Sequence, residues 1–465
     1  MNLCRGLLMI VPGVLSLAMS QNVVMAGSAT EKPNIVFLLA DDLGFKDVGF
    51  QGGSIKTPNI DRLAKEGTRF DQFYVQPVCT PTRSSLMTGR YPSRYGLQAG
   101  VVRPWSSHCL PLGERTLAQA LREAGYTTAI FGKWHLGHQD RRYLPTSRGF
   151  DHQYGHYNGA IDYFTHMRDK GLDWNRDDKP LREPGYSTNL IADESVRLIK
   201  EHDISKPLFL YVPFNAPHSP FQAPESYLDR YKHIETRDKR AFAAMVTCMD
   251  DAIERIVAAL DQRGIRQKSL IFFCSDNGGM KMVSDNGPLR GDKGRLYEGG
   301  IRVPALAVWP GVLKPGAVVK APLHMVDMYP TLIKLAGGSL EQPLSLDGLD
   351  AWPVITGTGP APQREILLNI TPFHGAIRQG DWKLVLNGNL TANYVGKRPQ
   401  EDKYELFNLA DDPNEQNDLS QKEPVKLTEL QRRLNVYAAE AAPANIPPDS
   451  MPADFKIPTA WGHPD

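Results

Sequence analysis

The sequence predicts an α/β fold: a large, mostly parallel central sheet flanked by helices, with a small C-terminal α+β subdomain built on an antiparallel sheet. Three observations predict it. Apolar runs of strand length alternate with segments of helical period. Several of those runs are apolar at consecutive positions, as strands buried on both faces are. The pattern then changes beyond a Pro-, Gly- and Leu-rich stretch at 343–363, where short strand patterns and one helix follow.

In chain order, NIVFLLA at 34–40 is the first buried strand, and Asp41 and Asp42 follow it at once. Ile60–Gly67 has helical spacing and ends in glycine, a common helix stop. Leu117–Gly125 repeats that pattern and leads into a strand at Thr127–Phe131. A helix over Leu190–Glu201 precedes the strand Pro207–Phe214. A long helix over Ala241–Leu260, apolar at Met245, Met249, Ile253, Ile256 and Leu260, precedes the strand Leu270–Ser275. Strands at Ala376–Leu386 and Lys403–Leu409, a helix at Val425–Ala439 and an extended Pro-rich tail make up the end of the chain. The expected division is a domain over 33–355 and a subdomain over 364–465.

Lys plus Arg is 53 and Asp plus Glu 52, a formal charge of +1, which gives no support for nucleic-acid binding. An anionic substrate would have to be held by local cations rather than by a global field. Residues 1–26 read as a signal peptide: Arg5, the apolar run Gly6–Met19, then the small-residue site Val24-Met25-Ala26. The run is shorter than the roughly 20 residues that span a bilayer. A secreted or periplasmic protein with no permanent membrane span is expected. Of the cysteines beyond this segment, Cys248 lies in a helical pattern and Cys274 in an apolar strand, where both fit as small buried residues.

Polar residues follow the strand patterns. Asp41, Asp42, Asp276 and Asn277 offer three carboxylates and an amide oxygen, a set that suits a hard cation such as Ca²⁺ or Mg²⁺. Alone, an Asp-Asp pair after a strand is more often a cap or turn. Arg83, Lys133, His135, His218 and Lys293 form a cationic set able to neutralise a tetrahedral oxyanion. In an open parallel sheet, ligands bind beyond the carboxyl ends of the strands, which gathers these groups at one edge. Cys79-Thr80-Pro81-Thr82-Arg83 runs on through Ser84 to Thr88-Gly89-Arg90. Read alone, Cys79 is either a buried loop cysteine or a thiolate nucleophile at a helix N-terminus beside Arg83.

CTPTRSSLMTGR resembles the signature of the type I sulfatase family, in which the cysteine is oxidised to Cα-formylglycine. Thr82 stands where Ser is commoner. PNIVFLLADDLGF, GKWHLG, SDNGG, PLRGDKGRLYEGGIRVP and GDWKLVL resemble further segments of that family. The resemblance implies an alkaline-phosphatase-like fold. It implies Ca²⁺ (or Mg²⁺) held by Asp41, Asp42, Asp276, Asn277 and the modified Cys79. It further implies Arg83 holding the formylglycine, Lys133 and Lys293 on the sulfate, His135 acting on the formylglycine hydroxyl and His218 protonating the leaving oxygen. A formylglycine-generating or sulfatase-maturing enzyme is then a required partner.

The chemistry explains the modification. A serine nucleophile would end as a sulfate ester that is hard to hydrolyse, whereas an aldehyde hydrate has a second hydroxyl whose deprotonation expels sulfate. The segment at 157–177 mixes Tyr157, Tyr163, Phe164 and Trp174 with charged residues and is similar to the N-acetylgalactosamine 4-sulfatase (arylsulfatase B type) group. That likeness implies a sulfated carbohydrate, with a 4-sulfated galactose or N-acetylgalactosamine unit of a glycosaminoglycan or algal galactan expected. Asp173, Trp174 and Arg176 are its expected sugar contacts. Two alternatives stand beside it: a phosphonate or phosphodiester hydrolase of the same superfamily, and a non-catalytic sulfated-glycan-binding protein.

Overall fold

The structure is a computed structural model that describes residue 1 and residues 32–390, 398–448 and 450–463. The expected signal peptide lies, but for Met1, outside the described residues. No helix among the described residues is long and apolar enough to cross a membrane.

The body of the main sheet consists of β1 (Asn34–Ala40), β2 (Thr68–Tyr74), β3 (Thr127–Lys133), β4 (His152–His156), β5 (Leu208–Pro213), β6 (Ser269–Ser275) and β7 (Arg302–Val308). Their spatial order is β2-β7-β6-β1-β5-β3-β4. Strands β6, β1, β5, β3 and β4 are parallel, β7 runs antiparallel to β6, and β2, antiparallel to β7, points the same way as the five. Short strands extend both margins.

The unbroken apolar run of β1 is explained by burial on both faces. Val36, Leu38 and Ala40 join one core with the helices Ser187–Glu201 and Arg237–Gln262. Ile35, Phe37 and Leu39 join the opposite core, with the helices Cys79–Thr88, Leu117–Glu123 and Met328–Leu335. Cys248 and Cys274 are buried among these apolar residues, and no disulfide forms among the described cysteines.

Strand β7 sits between β6 and β2 although it carries Pro304, which cannot donate to a ladder. The register with β2 shifts between Val303 and Ala305, so the proline is taken up at a bulge.

The second sheet is antiparallel, from Glu365–Ile370, Gly375–Gln379, Trp382–Leu386 and Tyr404–Asn408 in that order. The Ala376–Leu386 segment is thus a hairpin, turned at Gly380, whose φ of 58° suits glycine. One face packs on Leu430 and Leu434 of the helix Pro424–Glu440. The other packs on Tyr74, Leu296 and Ile301 of the main body.

At that junction Lys383 is fully buried and ion-paired with Glu298 Oε1 at 2.9 Å and Glu415 Oε1 at 2.7 Å. Tyr74 donates to Glu298 Oε2 at 2.8 Å. Removing one member of a buried charge cluster strands the others in low dielectric. Lys383→Met is therefore expected to lower unfolding stability by about 3–5 kcal/mol, read from denaturant titration.

Candidate active site

The register of the parallel strands assembles the site. Ala40 pairs with Ser275, so Asp41 and Asp276 leave their strands side by side. The Asp276 amide donates to Ala40 O at 3.0 Å, and the Asp42 amide to Asp276 Oδ1 at 3.2 Å. On the other flank the Asp41 amide donates to Ala216 O at 3.1 Å, in the turn that follows β5 and carries His218. Lys133 is the last residue of β3. Asp42 and His135 hold positive φ, 67° and 59°, a conformation that non-glycine residues keep only where their surroundings enforce it.

Asp41, Asp42, Asp276 and Asn277 are all buried. Burial first, and then the neighbouring Asp276 charge, pushes the Asp41 carboxyl up to about 7. Burial alone would raise Asp42 too, but Lys293 and His218 hold it below the usual carboxylate range. The Asn277 amide nitrogen donates to Asp42 Oδ1 at 2.8 Å and to Gly278 O at 2.9 Å. Its Oδ1, like Asp41 Oδ1, is buried without a hydrogen-bond partner. Acceptors left over among crowded carboxylates fit a hard cation, which needs acceptors and no donors. Ligand atoms of Asp41, Cys79 and Asp276 lie within 4.8 Å of one another, so Cys79 belongs to the same set.

Cys79 opens the helix Cys79–Thr88, every residue of which is buried. Pro81, lacking an N–H, fits in the first turn, where amides have no intrahelical partner. Thr82 Oγ1 accepts from the Gln76 amide at 3.0 Å and donates to Gln76 O at 3.1 Å. The hydroxyl is what this position uses, so threonine serves there. Arg83 donates through Nε and Nη2 to Asp276 Oδ2 at 3.0 and 2.8 Å, and through Nη1 to Lys133 O at 3.0 Å. It thereby ties the helix to the ends of two strands. Burial pushes the Cys79 thiol up, Asp276 and Asp41 add to that, and Lys133 and Lys293 only partly oppose it. The thiolate reading of Cys79 is disfavoured in this setting.

The lysines complete the charge balance. Lys133 Nζ lies 2.6 Å from Asp41 Oδ2, and Lys293 Nζ 2.6 Å from Asp42 Oδ1. His218 lies in a turn between the cis peptide bonds Ala216–Pro217 and Ser219–Pro220. Its Nδ1 is 2.6 Å from Ser219 O and its Nε2 3.6 Å from Asp42 Oδ2. Burial and Lys293 bring it down to about 3. His135 Nε2 is 3.0 Å from Val102 O, while its Nδ1 is buried with no partner. Burial, then Lys133 and Arg83, drive His135 well below the ordinary imidazole range. Every catalytic and metal residue expected from the sequence thus converges on one sheet edge.

The expected sugar contacts do not. Asp173 is fully buried and accepts from the Tyr157 and Asn158 amides at 2.9 and 2.8 Å, so it caps a turn. Trp174 is a core residue, stacked on His166 and donating to Glu183 Oε1 at 2.8 Å. Arg176 lies over the Tyr154 ring and pairs with Glu194 at 2.9 Å. A mixed aromatic and charged composition fits packing as well as it fits sugar binding, and here Asp173 and Trp174 are buried while Arg176 is exposed and ion-paired. Conversely, sequence reasoning missed His156, in register with Lys133 and buried with its Nε2 unpartnered. Its place at the end of β4 was the available signal. It also missed Gly159, where a Cβ would stand 2.5 Å from the His135 ring.

The sulfatase family domain matches residues 33–339. The chain belongs to the sulfatase family. A second match, to the C-terminal region of N-sulphoglucosamine sulphohydrolase, covers residues 291–440. The sulfatase is 39% identical to mouse arylsulfatase J over 91% of this chain and 79% of that protein. It is 33% identical to mouse N-acetylgalactosamine-6-sulfatase over 73% of this chain and 69% of that protein. The crystal structure of Ps i-CgsB superposes with a TM-score of 0.80 at 33% identity, covering 89% of this chain and 94% of that one. The protein is accordingly a sulfuric ester hydrolase.

A cation seated among the orphan oxygens would bind the folded state alone, and added divalent metal is then expected to stabilise by about 2.7 kcal/mol at a hundredfold excess over Kd. Chelation is expected to lower the thermal midpoint of the parent sulfatase, and to leave that of Asp41→Asn unchanged, in differential scanning calorimetry.

Proposed function

We propose that this sulfatase removes sulfate from a sulfated carbohydrate, a 4-sulfated galactose or N-acetylgalactosamine unit of a glycosaminoglycan or algal galactan, using Ca²⁺ and a formylglycine made from Cys79. The observation that carries the reading is Cys79 at the head of a buried helix, its sulfur against Asp41 and Asp276. A thiol pushed up in that setting is a poor nucleophile, and oxidation gives the position a use. Formylglycine supplies, as its hydrate, one hydroxyl to attack sulfur and a second whose deprotonation releases sulfate. Asp41, Asp42, Asp276 and Asn277 would hold Ca²⁺, which supplies positive charge beside the sulfuryl oxygens.

The other groups act directly. Lys133 and Lys293 now balance the charge of Asp41 and Asp42, a task they would share with a cation held by those carboxylates. Both lysines are then available to a sulfate group. His135, donating from Nε2 to Val102 O, presents a bare Nδ1 that suits a proton acceptor. His218 donates from Nδ1 to Ser219 O, which leaves Nε2 for the bridging oxygen. The charge of a bound sulfate ester opposes the causes that depress His218 and favours the imidazolium that donates.

The carbohydrate reading draws on two relatives. One is named for N-acetylgalactosamine 6-sulfate hydrolysis, and Ps i-CgsB has been solved in complex with k-i-k-neocarrahexaose. Export through residues 1–26, to the periplasm or the exterior, and encounter with a formylglycine-generating or sulfatase-maturing enzyme complete the proposal.

Cys79→Ser is expected to abolish turnover with the thermal midpoint little changed, and mass spectrometry of the parent's Cys79 peptide to give the aldehyde or its hydrate. Free thiol alone in fully active enzyme would sink the modification. His218→Ala is expected to lose about 10²–10⁴ in kcat on a sugar sulfate, and far less on 4-nitrophenyl sulfate, whose leaving group needs no proton. A panel of regiodefined sulfated saccharides, run beside an aryl phosphodiester, tests the substrate. Faster phosphodiester hydrolysis, or preference for a 6-sulfate, would overturn the corresponding part.

A further inference from the structure

The chain that carries His218 continues into a groove of about 390 Å³ lined in part by Phe164, Phe221, Gln222, Arg237 and Arg240. That volume lies in the range of about 300–1,000 Å³ common for small-ligand sites. The groove wall and the His218 turn are one piece. The Tyr163 hydroxyl donates to His218 O at 2.7 Å, and the Tyr163 amide donates to Gln222 Oε1 at 2.9 Å. Gln222 Nε2 in turn donates to Asp162 Oδ2 at 2.7 Å. Phe164, next along, is among the large apolar side chains left exposed, at 45%. An exposed ring at the mouth of a groove is what a sugar face stacks on.

The charges in the groove are not self-compensated. Lys232 is paired with Asp229 at 2.8 Å, and Glu225 also lines the wall. Arg240 spends its Nε on Ile234 O at 2.8 Å. Among the described residues, neither the Arg240 terminal nitrogens nor Arg237 enters an ion pair. Guanidinium groups left free in a concave site suit bidentate recognition of a sulfate or carboxylate.

We propose that this groove is the subsite for the sugar adjoining the one that loses its sulfate, and that Arg237 and Arg240 read an anionic substituent on that neighbour. The inference rests on the reading of His218 as the group beside the scissile ester. It makes the preferred substrate an oligosaccharide with charge on two successive sugars. Phe164 contributes the stacking surface, and the arginines contribute selectivity for the anion.

The test compares the mature parent enzyme with Arg237→Ala/Arg240→Ala and with Phe164→Ala. Three substrates are used: 4-nitrophenyl sulfate, a disaccharide bearing only the scissile sulfate, and the same disaccharide with a second sulfate on the adjoining sugar. The double arginine variant is expected to lose about 10–100-fold in kcat/KM on the disulfated disaccharide, mostly through KM. It should stay within twofold of the parent on the other two substrates. Phe164→Ala should weaken both disaccharides and spare the aryl sulfate. Unchanged KM for the disulfated disaccharide, or an equal loss on all three substrates, would overturn the proposal. Were no disaccharide turned over by the parent, the carbohydrate reading itself would fail. Calorimetric binding of the disulfated disaccharide would then decide the groove, loss of binding in the double variant supporting it and equal affinity refuting it.

Discussion

Three buried carboxylates on adjoining strand ends are the constraint around which the rest of this protein is arranged. Asp41, Asp42 and Asp276 cannot all be ionised in a low-dielectric edge without nearby positive charge. The fold supplies it from three directions: Arg83 from the Cys79–Thr88 helix, Lys133 from the next-but-one strand and Lys293 from a loop far along the chain. Each cation also has a second structural attachment or a position fixed by the sheet. The same residues that keep the site stable therefore keep it aimed, and a bound anion competes with carboxylates for groups already in place.

The second sheet takes part in that arrangement. Between the strands Trp382–Leu386 and Tyr404–Asn408, Gly388 O accepts from the Leu296 amide, and the Leu390 amide donates to Gly294 O, so the loop that carries Lys293 is stitched to the C-terminal sheet. Lys383, Glu298 and Glu415 lock the same junction from within. The Lys293 contact to Asp42 is thus held by parts of the chain on both sides of it.

Much of this was legible in the sequence because it is local or periodic. Strand β1 was read to its residue limits, since an apolar run followed by two aspartates has few alternatives. The long helix was underread by four residues at its start, where the charged run Arg237–Arg240 carries no apolar period. Strand β7 escaped notice because Pro304 argues against an interior strand, and only tertiary pairing shows the bulge that admits it. The convergence of the residues expected for metal and catalysis was legible since each ends or follows a strand or sits in a tight motif. The burial of Asp173 and Trp174 was not, because whether Asp173 caps a turn or faces a ligand depends on which amides approach it, and spacing does not encode that. Nor could spacing separate Phe164, which is exposed, from Trp174, ten residues on and fully buried.

The stitching of the Lys293 loop to Gly388 and Leu390 also sets an order in time. Asp41 leaves the ribosome early, yet its strand must wait for β6 to bring Asp276, and Lys293 must wait for the hairpin strand ending at Leu386 and the residues after it. Synthesis proceeds from the N-terminus at about 5–20 residues per second. In that interval β1 has only β5 to pair with, and β3 beyond it brings Lys133 to Asp41, while Asp276 and Lys293 are still to come. The working site is therefore among the last parts of the molecule to exist, and a chain that stops short of its final sheet would have the signature helix without the grip that makes it useful.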